Sequence, residues 1–579
     1  MKNKKRLLLL ITAIALLTPL YSSAQNSRVP SDKKKPLHQE TLDDPYLPNA
    51  WNNKKTSPAY KYRNNGALKI TTGSIIFTNQ VNVDASGQNI LGDAANEPNI
   101  TVNPLNPNEI AIGWRQFDNV SSNFRQAGWS YSTDAGQTWT FPGVIEPGIF
   151  RSDPVLDYDS SGNFYYNSLT NSPTYLCKVF ESTNGGATWN NGTDAAGGDK
   201  QWMAIDRTAG VGSGNIYSVW TSVYSSCPPG FFTRSTNGGS SYENCTEVDS
   251  FPWWGTMAVG NAGELYIGSG SSLMDSLLVV KSLNAQITGS LISWNPVLVY
   301  LDGYLNGWVP VNPVGLLGQV NIDVDRSSGA GQGNVYVCAS VSRLSNFDPG
   351  DVMLIRSTDG GQTWSAPIQI NDDPSQNNTQ WFGTMSVAPN GRIDAIWLDT
   401  RDNPGSDESA LYYSYSTDQG NTWSVNEKLS ASFDPHVGYP NQDKMGDYFD
   451  MISDNSGAHL AWANTLNGEE DVYYSYIIPS INTGVNEISG NGTFSVFPNP
   501  TNGIFVITGI LNQSLPVGVG IEICTVLGEK IYEATIHSVR SPSDKTKTEI
   551  DISAQPAGIY FLKIINRDGS TVVKKIMRE

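Results

Sequence analysis

The chain has 579 residues and is acidic, with 55 Asp and Glu against 37 Lys and Arg and a formal net charge of −18. This balance argues against a nucleic-acid partner, because phosphate binding rests on clustered Lys and Arg. Five cysteines are too few for a disulfide scaffold, and the sequence has no HExxH, CxxC or P-loop pattern, which disfavours zinc hydrolases and nucleotide enzymes.

The first residues have the organisation of a secretory signal peptide. Residues 2–6 are mostly basic, residues 7–20 are apolar, and residues 22–24 (SSA) offer a small-residue cleavage site. We therefore expect residues 1–24 to be removed on export. No later segment reaches the ~18 apolar residues of a membrane span, so we predict no transmembrane anchor. Residues 25–72 are polar and rich in Lys, Asn and Pro, which is typical of a flexible leader.

One short loop recurs five times between residues 73 and 479. Each copy starts with Ser-Thr, continues with Asp or Asn, has Gly at its fifth position and ends in Trp or Tyr. The copies are residues 132–139, 182–189, 235–242, 357–364 and 416–423. The Asp or Asn side chain can accept bonds from its own backbone, and Gly tolerates positive φ, so we predict a structural turn. Cys227 and Cys245 flank the third copy and could form a disulfide in an oxidising compartment.

A longer repeat surrounds these loops: an apolar strand, a turn rich in Asp, Gly and Asn, and a second apolar strand. Its seven copies are residues 97–114, 153–169, 201–220, 254–269, 319–340, 381–399 and 448–464. Repeats of ~40–60 residues with about four strands each are typical of β-propeller blades. We favour seven blades, with six blades and one irregular repeat as the alternative. Residues 73–82 could add a strand that closes the ring.

The recurring loop resembles the Asp-box, or bacterial neuraminidase repeat, of sialidase-like β-propellers, which implies an all-β fold. Exo-sialidases of this fold bind the substrate carboxylate with three arginines and use a Tyr nucleophile and an Asp acid/base. The matching candidates are Arg115, Arg151 and Arg401 for the clamp, Asp153 for the acid/base, and Tyr439 or Tyr448 for the nucleophile. The sialidase motif Phe/Tyr-Arg-Ile-Pro is represented only by residues 150–154 (FRSDP), so a binding module stays open beside a glycoside hydrolase.

The propeller topology indicates which loops could bind a ligand. Loops between the second and third strands, and loops between blades, lie opposite the Asp-boxes. Carboxylates there can bond sugar hydroxyls and aromatic rings can stack on sugar C–H surfaces. The predicted binding residues are Glu97, Trp253, Trp254, Trp381 and Asp447. An extracellular glycan or glycoprotein is the expected partner, with protein adhesion as a further alternative. No cofactor is required, although the oxygen-rich loops 157–163 and 399–403 make Ca²⁺ possible.

The last part of the chain changes character after a linker at residues 480–492, which is rich in Asn, Ser and Gly. Residues 493–579 contain, in order, FPNPTNGIF, VLGEKIY, AGIYFLK and KKI. They resemble the C-terminal sorting domain of type IX secretion substrates in Bacteroidetes. The resemblance implies an Ig-like antiparallel β-sandwich, recognition by the secretion machinery and its sortase, and a secreted or cell-surface location. A carbohydrate-binding sandwich is the alternative.

Overall fold

A computed structural model describes residue 46 and residues 55–64, 73–171, 174–271, 276–480, 494–509, 519–525, 530–536, 546–565 and 571–578. The predicted signal peptide, most of the predicted leader and nearly all of the linker lie outside the described residues. The chain divides into two compact units, Met1–Asn64 with Ile76–Ile478, and Asn65–Ile75 with Pro479–Glu579. The regular elements of the described residues are β-strands and the 3₁₀ turn Ser222–Tyr224, so the predicted all-β class is confirmed. Within these ranges no helix is long and apolar enough to cross a membrane.

The described strands of the first unit form seven antiparallel sheets of three to five strands, which we number as blades in chain order. Blade 1 contains Ala94–Val102, Ile110–Phe117, Arg125–Ser132 and Thr140–Ile145. Blade 2 contains Ser152–Tyr158, Phe164–Thr170, Leu176–Ser182 and Thr193–Asp194. Blade 3 contains Trp202–Ile205, Ile216–Val219 and Phe232–Ser235, and blade 4 contains Trp253–Val259, Leu265–Gly270, Leu277–Ser282 and Asn295–Val299.

The later blades have the same up-and-down order, with additions. Blade 5 contains Asn321–Val324, Val335–Arg343, Asp351–Ser357 and Ile368–Gln369, and Gly303–Tyr304 pairs with its second strand. Blade 6 contains Gln380–Val387, Ile393–Asp399, Ala410–Ser416 and Glu427–Lys428. Blade 7 contains Asp450–Ser453, Ala458–Asn464 and Asp471–Ile478. Two separate pairs of strands are Thr56–Pro58 with Gln88–Ile90, and Gly307–Val309 with Asn312–Leu316.

The first strands of the blades form a ring, because each contacts the next and that of blade 7 contacts that of blade 1. Each of these strands is the inner edge of its own sheet. The backbone N–H groups that face the ring axis therefore need hydrogen-bond acceptors from outside that sheet. At six junctions a side chain of one inner strand accepts a bond from the backbone of a neighbouring one. The pairs are Leu156 N to Asn99 Oδ1 (2.6 Å), Ile205 N to Asp157 Oδ2 (2.8 Å), Ile322 N to Thr256 Oγ1 (3.0 Å), Val387 N to Asp323 Oδ2 (2.8 Å), Ser453 N to Ser386 Oγ (3.0 Å) and Ile100 N to Asp450 Oδ2 (3.0 Å).

An N-terminal strand completes blade 7, as predicted for residues 73–82. Ile75–Gln80 pairs with Asp471–Ile478, and Lys61–Arg63 adds outside it. Val81 N donates to Val472 O at 3.0 Å, and Asn82 Nδ2 donates to the Asp471 carboxylate. The last blade is therefore built from both ends of the propeller sequence, which ties the ring closed.

The Asp-box loops are hydrogen-bonded turns, as their composition predicts. In the first copy, Ser132 Oγ donates to Asp134 Oδ1 (2.8 Å) and accepts from Gly136 N (2.9 Å), while Asp134 Oδ1 accepts from Thr138 N (2.9 Å). Gly136 has φ +78°, and a Cβ there would collide with the Tyr474 ring of blade 7. The box therefore shapes its own loop and packs against the neighbouring blade.

Cys227 and Cys245 are disulfide-bonded, as the sequence suggested, while Cys177, Cys338 and Cys524 are buried free thiols. In the second unit, one sheet contains Phe494–Phe497, Ile504–Gly509 and Thr546–Asp551. The other contains Lys530–Ile536, Val519–Thr525, Gly558–Ile565 and Thr571–Arg578. Both sheets contribute to one apolar core that includes Phe505, Ile521, Ile550 and Leu562. This arrangement is the predicted antiparallel β-sandwich.

Candidate functional site

The end of the ring where the inner strands begin lies opposite the Asp-boxes, and we call it the mouth. Five residues at this end have φ between 49° and 56°: Glu97, Asp153, Lys200, Trp254 and Phe382. A left-handed backbone is uncommon for residues with bulky side chains and costs about 1–3 kcal/mol each. β-Bulges interrupt the ladder at four of these positions, Glu97, Asp153, Trp254 and Phe382. The same strained geometry thus recurs in blades 1, 2, 3, 4 and 6.

Six charged side chains from different blades meet at the mouth, and we call them the mouth cluster: Glu97, Arg115, Asp153, Lys200, Lys444 and Asp447. Lys200 Nζ and Lys444 Nζ both lie 2.5 Å from Asp447 Oδ2. The same two ammonium groups lie 3.6 and 3.3 Å from Glu97 Oε1. Lys200 Nζ is 3.6 Å from Asp153 Oδ2, and Arg115 Nε is 3.1 Å from Glu97 Oε2. These ion pairs join blade 1 and the segments that lead into blades 2, 3 and 7.

Burial and the neighbouring charges shift the pKa values of the cluster in different directions. Burial raises the pKa of Glu97 to about 7, although Arg115 and the two lysines oppose the shift. Burial acts in the same direction on Asp153, but Lys200 and Arg115 outweigh it and hold the Asp153 pKa below its usual range. Burial and the neighbouring Lys200 lower the pKa of Lys444 despite Asp447. The cluster therefore combines a carboxyl and an amine that both ionise less readily than usual.

The mouth cluster is closed to solvent, since all its members are at most 5% exposed. Residues 307–316 form a hairpin between blades 4 and 5, the mouth hairpin, which reaches the segment leading into blade 7. Asn312 Nδ2 donates to Gly446 O (2.9 Å), Met445 N donates to Asn312 Oδ1 (3.0 Å), and Leu316 N donates to Asp447 Oδ1 (2.9 Å). Gly446 in turn packs directly on Glu97.

The three arginines predicted to form a carboxylate clamp do not share a site. Their ion-pair partners are Glu97 for Arg115 (3.1 Å), Glu146 for Arg151 (2.5 Å), and Asp372 and Asp399 for Arg401 (2.6 and 2.8 Å). The guanidinium groups of Arg151 and Arg401 also lie over the rings of Phe180 (5.3 Å) and Tyr412 (4.5 Å) in their own blades. Each arginine is thus committed to a separate carboxylate, and the geometry does not support the clamp.

The predicted nucleophile and acid also lack the expected arrangement. Tyr448 OH donates to Pro154 O (2.8 Å), and the Tyr439 hydroxyl has no hydrogen-bond partner among the described residues. Burial raises the pKa of both phenols far above the usual value. Neither phenol bonds to a carboxylate that could act as its base, while Asp153 is paired with Lys200 inside the closed cluster. No activated Tyr is therefore assembled.

The predicted binding tryptophans separate into two groups. Trp381 is fully buried, and its indole Nε1 donates to Ser409 Oγ (3.0 Å), so it cannot stack on a ligand and its prediction as a binding residue is wrong for this structure. Trp253 and Trp254 are half-buried neighbours with ring centroids 6.0 Å apart. Glu97 and Asp447, also predicted to bind sugar, face the lysines of the closed cluster instead.

Three exposed aromatic residues at the mouth were not predicted. Phe251 is 50% exposed, Trp308 of the mouth hairpin 59% and Phe347 87%, and all three have positive φ. With Trp253 and Trp254 they form what we call the aromatic rim. The sequence places these residues in loops between blades or between second and third strands, and this position was the signal that could have identified them. The sequence does not show that their side chains are exposed.

The loops that suggested a Ca²⁺ site have carboxylates that are bonded within the protein. Among the described residues, no group of three or more His, Cys, Asp or Glu side chains could hold a metal ion. Asp157 pairs with Arg207 and accepts from Ile205 N, and Asp159 accepts from Ser161 N and Asn163 N as in an ordinary turn. Asp399 is occupied by Arg401, as described above. Bound Ca²⁺ stays a prediction.

Comparison with known families agrees with the two units. Residues 495–579 match the secretion system C-terminal sorting domain, and residues 355–366 match the BNR/Asp-box repeat. No curated protein matches the chain in sequence.

Several solved structures are similar to the chain at low identity. A protein of unknown function from Dyadobacter fermentans is 14% identical, with 67% of this chain and 98% of that chain covered and a TM-score of 0.38. The Hadza microbial sialidase Hz136 is 12% identical (67% and 66% covered, TM-score 0.33), and the phage phi92 endosialidase 11% (86% and 78%, TM-score 0.38). Similarity at this level carries no information about activity.

Fold and repeats together define the class: a β-propeller that contains the BNR/Asp-box repeat. The chain also carries a type IX secretion sorting domain, which directs export to the cell surface or the extracellular space.

Proposed function

We propose that this protein binds extracellular carbohydrate through the aromatic rim of its propeller. The observation that supports this proposal is a set of exposed or half-buried aromatic side chains around one end of the ring. Large aromatic residues bury apolar surface well, so holding Phe251, Trp308 and Phe347 exposed and in a strained backbone is costly without a ligand. Aromatic faces match the C–H surfaces of sugar rings, and an exported protein meets glycans outside the cell.

Binding is better supported than hydrolysis. A hydrolase needs an acid and a nucleophile in contact with the substrate. In this structure Asp153 is enclosed with Lys200, the Tyr439 and Tyr448 phenols lack a base, and the arginines are held by carboxylates of their own blades. The ion pairs of the mouth cluster occupy its six charged groups, so none of these six is free to act on a glycosidic bond.

The test is binding of the full chain to a glycan array, followed by titration calorimetry with the best ligand. Replacing Trp254 or Trp308 with Ala should weaken binding about tenfold or more, since a buried aromatic contact contributes about 1.5–3 kcal/mol. Tyr62→Ala is the matched control, because Tyr62 is a 40% exposed aromatic on the outermost strand of blade 7, away from the rim.

Three results would contradict this proposal. Rim variants that bind as tightly as the wild type would place the ligand elsewhere. Release of sialic acid from a sialylated glycoprotein, lost in Arg151→Ala, would assign hydrolysis instead. A folded protein that binds no glycan would favour a protein partner for the same surface.

A further inference from the structure

Asp199 is a buried carboxylate without a hydrogen-bonding partner. It precedes Lys200 at the mouth, is 1% exposed, and neither of its side-chain oxygens accepts a hydrogen bond within the described part of the chain. A carboxylate can accept bonds at both oxygens, and burying it without donors is unfavourable. Burial accordingly raises the pKa of Asp199 to about 7, against the influence of Lys200. Such a group calls for a ligand or ordered water that donates to it.

The surroundings of Asp199 contain further unpaired polar atoms. Thr221 N donates to Asp199 O (3.0 Å), so these two segments are adjacent, yet Thr221 Oγ1 has no partner. The indole Nε1 of Trp220 is also buried without an acceptor. Gly198 packs against the Trp220 ring so closely that a Cβ at this position would collide with it. Two acceptor oxygens, an N–H donor and a hydroxyl thus occur together beside blade 3.

Two tyrosines border the same place. The rings of Tyr175 and Tyr224 are 5.6 Å apart, tilted by 54°, and both residues are half-buried. The segment that carries Tyr224 lies beside Asp199, because Gly198 packs against Tyr224 O and Ser226 N donates to Gly197 O at 2.8 Å. Burial raises the pKa of Tyr175 to about 12, and the Asp199 charge is the next cause. Asp199 also acts on the pKa of Tyr224 after burial. The carboxylate therefore has an aromatic side that reaches toward solvent.

Charge at the site favours a neutral ligand over an ion. Lys200, Lys444 and Arg125 are positive neighbours of Asp199, and Asp153 and Asp447 are negative ones. With the Asp199 carboxylate itself, three positive and three negative charges offset one another. A cationic ligand would meet the three positive side chains, and an anionic ligand would meet the carboxylates. A pair of sugar hydroxyls can donate to both Asp199 oxygens while the ring lies against a tyrosine.

We infer that Asp199, with Tyr175 and Tyr224, forms a subsite for a neutral, hydroxyl-bearing sugar unit on the blade 2 and blade 3 side of the mouth. This inference rests on the proposed carbohydrate binding and adds the polar contact that selects the sugar. The aromatic rim supplies contact area, and the Asp199 carboxylate supplies the hydrogen-bond acceptors that fix the orientation of the ring.

The experiment uses saturation-transfer NMR to detect binding of the full chain to the methyl glycosides of galactose, mannose, glucose, fucose and N-acetylglucosamine. The dissociation constant of the best glycoside is then measured for Asp199→Asn, Tyr175→Ala and the control Asp194→Asn, whose side chain is exposed in blade 2. We expect both subsite variants to bind at least tenfold more weakly, and the control to bind like the wild type. The melting temperature of Asp199→Asn should stay the same or rise, because an unpaired buried charge is removed.

Each other result overturns the inference in a recognisable way. Wild-type binding that is lost in Trp254→Ala but kept in Asp199→Asn would leave the proposed function intact and remove the subsite. A raised melting temperature with unchanged binding would assign only an internal water to Asp199. A lowered melting temperature with proportionate loss of binding would make Asp199 a structural residue. No transfer from the wild type to any glycoside would overturn the proposed function together with the subsite.

Discussion

Removing the charge of Asp447 tests whether the mouth cluster holds the ring together. In Asp447→Asn the side chain keeps its shape and can still accept from Leu316 N, but Lys200 and Lys444 lose the carboxylate that lies 2.5 Å from both. Breaking a buried ion pair from one side costs about 3–5 kcal/mol. An unfolding entropy of ~2.1 cal/mol/K per residue, over a propeller of roughly 400 residues, converts this loss to a decrease of about 4–6 °C in melting temperature.

Calorimetry of the full chain at pH 7 is the measurement, with Asp402→Asn as the control. Asp402 pairs with Lys428 at 2.9 Å, but both side chains are about one-third exposed, so this change should cost less than about 1 kcal/mol. Adding Lys444→Met to Asp447→Asn should restore part of the stability. Because burial lowers the Lys444 pKa, the defect should also shrink as pH rises and this amine loses its proton. Equal melting temperatures for the Asp447 and Asp402 variants would refute the structural role of the cluster.

Two further changes separate stability from binding. Burial, together with Asp157 and Asp323, raises the pKa of Asp450 from 3.8 to about 7, so the folded state keeps a proton that the unfolded chain releases, and this stabilisation is lost as pH rises through that range. Asp450→Asn should therefore melt higher than the wild type at pH 8, by a smaller margin at pH 5 and not at pH 3, and a pH-independent difference would contradict the assignment. Trp381→Ala should lower the free energy of unfolding by about 3–5 kcal/mol and leave glycan affinity of the folded protein unchanged. Trp308→Ala should weaken glycan binding and leave the free energy of unfolding unchanged. A Trp381→Ala variant that is as stable as the wild type but no longer binds glycan would contradict the structural role of Trp381.

The fold was predictable because its determinants are local. The Asp-box loops close through hydrogen bonds between residues two to four positions apart, such as the bond from Gly136 N to Ser132 Oγ. Eight residues of sequence therefore contain the whole turn. The closing strand was visible as an apolar segment ahead of the first repeat, and Ile75–Gln80 occupies that position. The sorting domain has motifs in fixed order, which the family match at residues 495–579 supports.

The candidate site was less predictable, because its contacts join residues far apart in the chain. Arg151 and Arg401 look available as loop residues, and only the structure shows that Glu146 and Asp372 already hold them. The error at Trp381 has a different cause. A β-bulge follows this residue and shifts the register of the inner strand, and a shift of one residue exchanges the two faces of a strand. Trp381 therefore packs inward, although its place at the start of a strand suggested the mouth.

Closure of the ring explains why so many charged groups are enclosed at the mouth. The chain joins blade 7 to blade 1 only through the N-terminal strand and residues 81–93, so the other strands of blade 7 are held to blade 1 by contacts. Blade 7 receives the strand Ile75–Gln80, and Asp450 accepts from Ile100 N of blade 1 at 3.0 Å. At the mouth, Lys444 and Asp447 ahead of blade 7 pair with Glu97 of blade 1 and Lys200 ahead of blade 3. Carboxylates engaged in this junction are unavailable for acid or base catalysis. We propose that ligand recognition belongs to groups outside the junction, the aromatic rim and Asp199, and the variants at Asp447 and Asp199 distinguish these two roles.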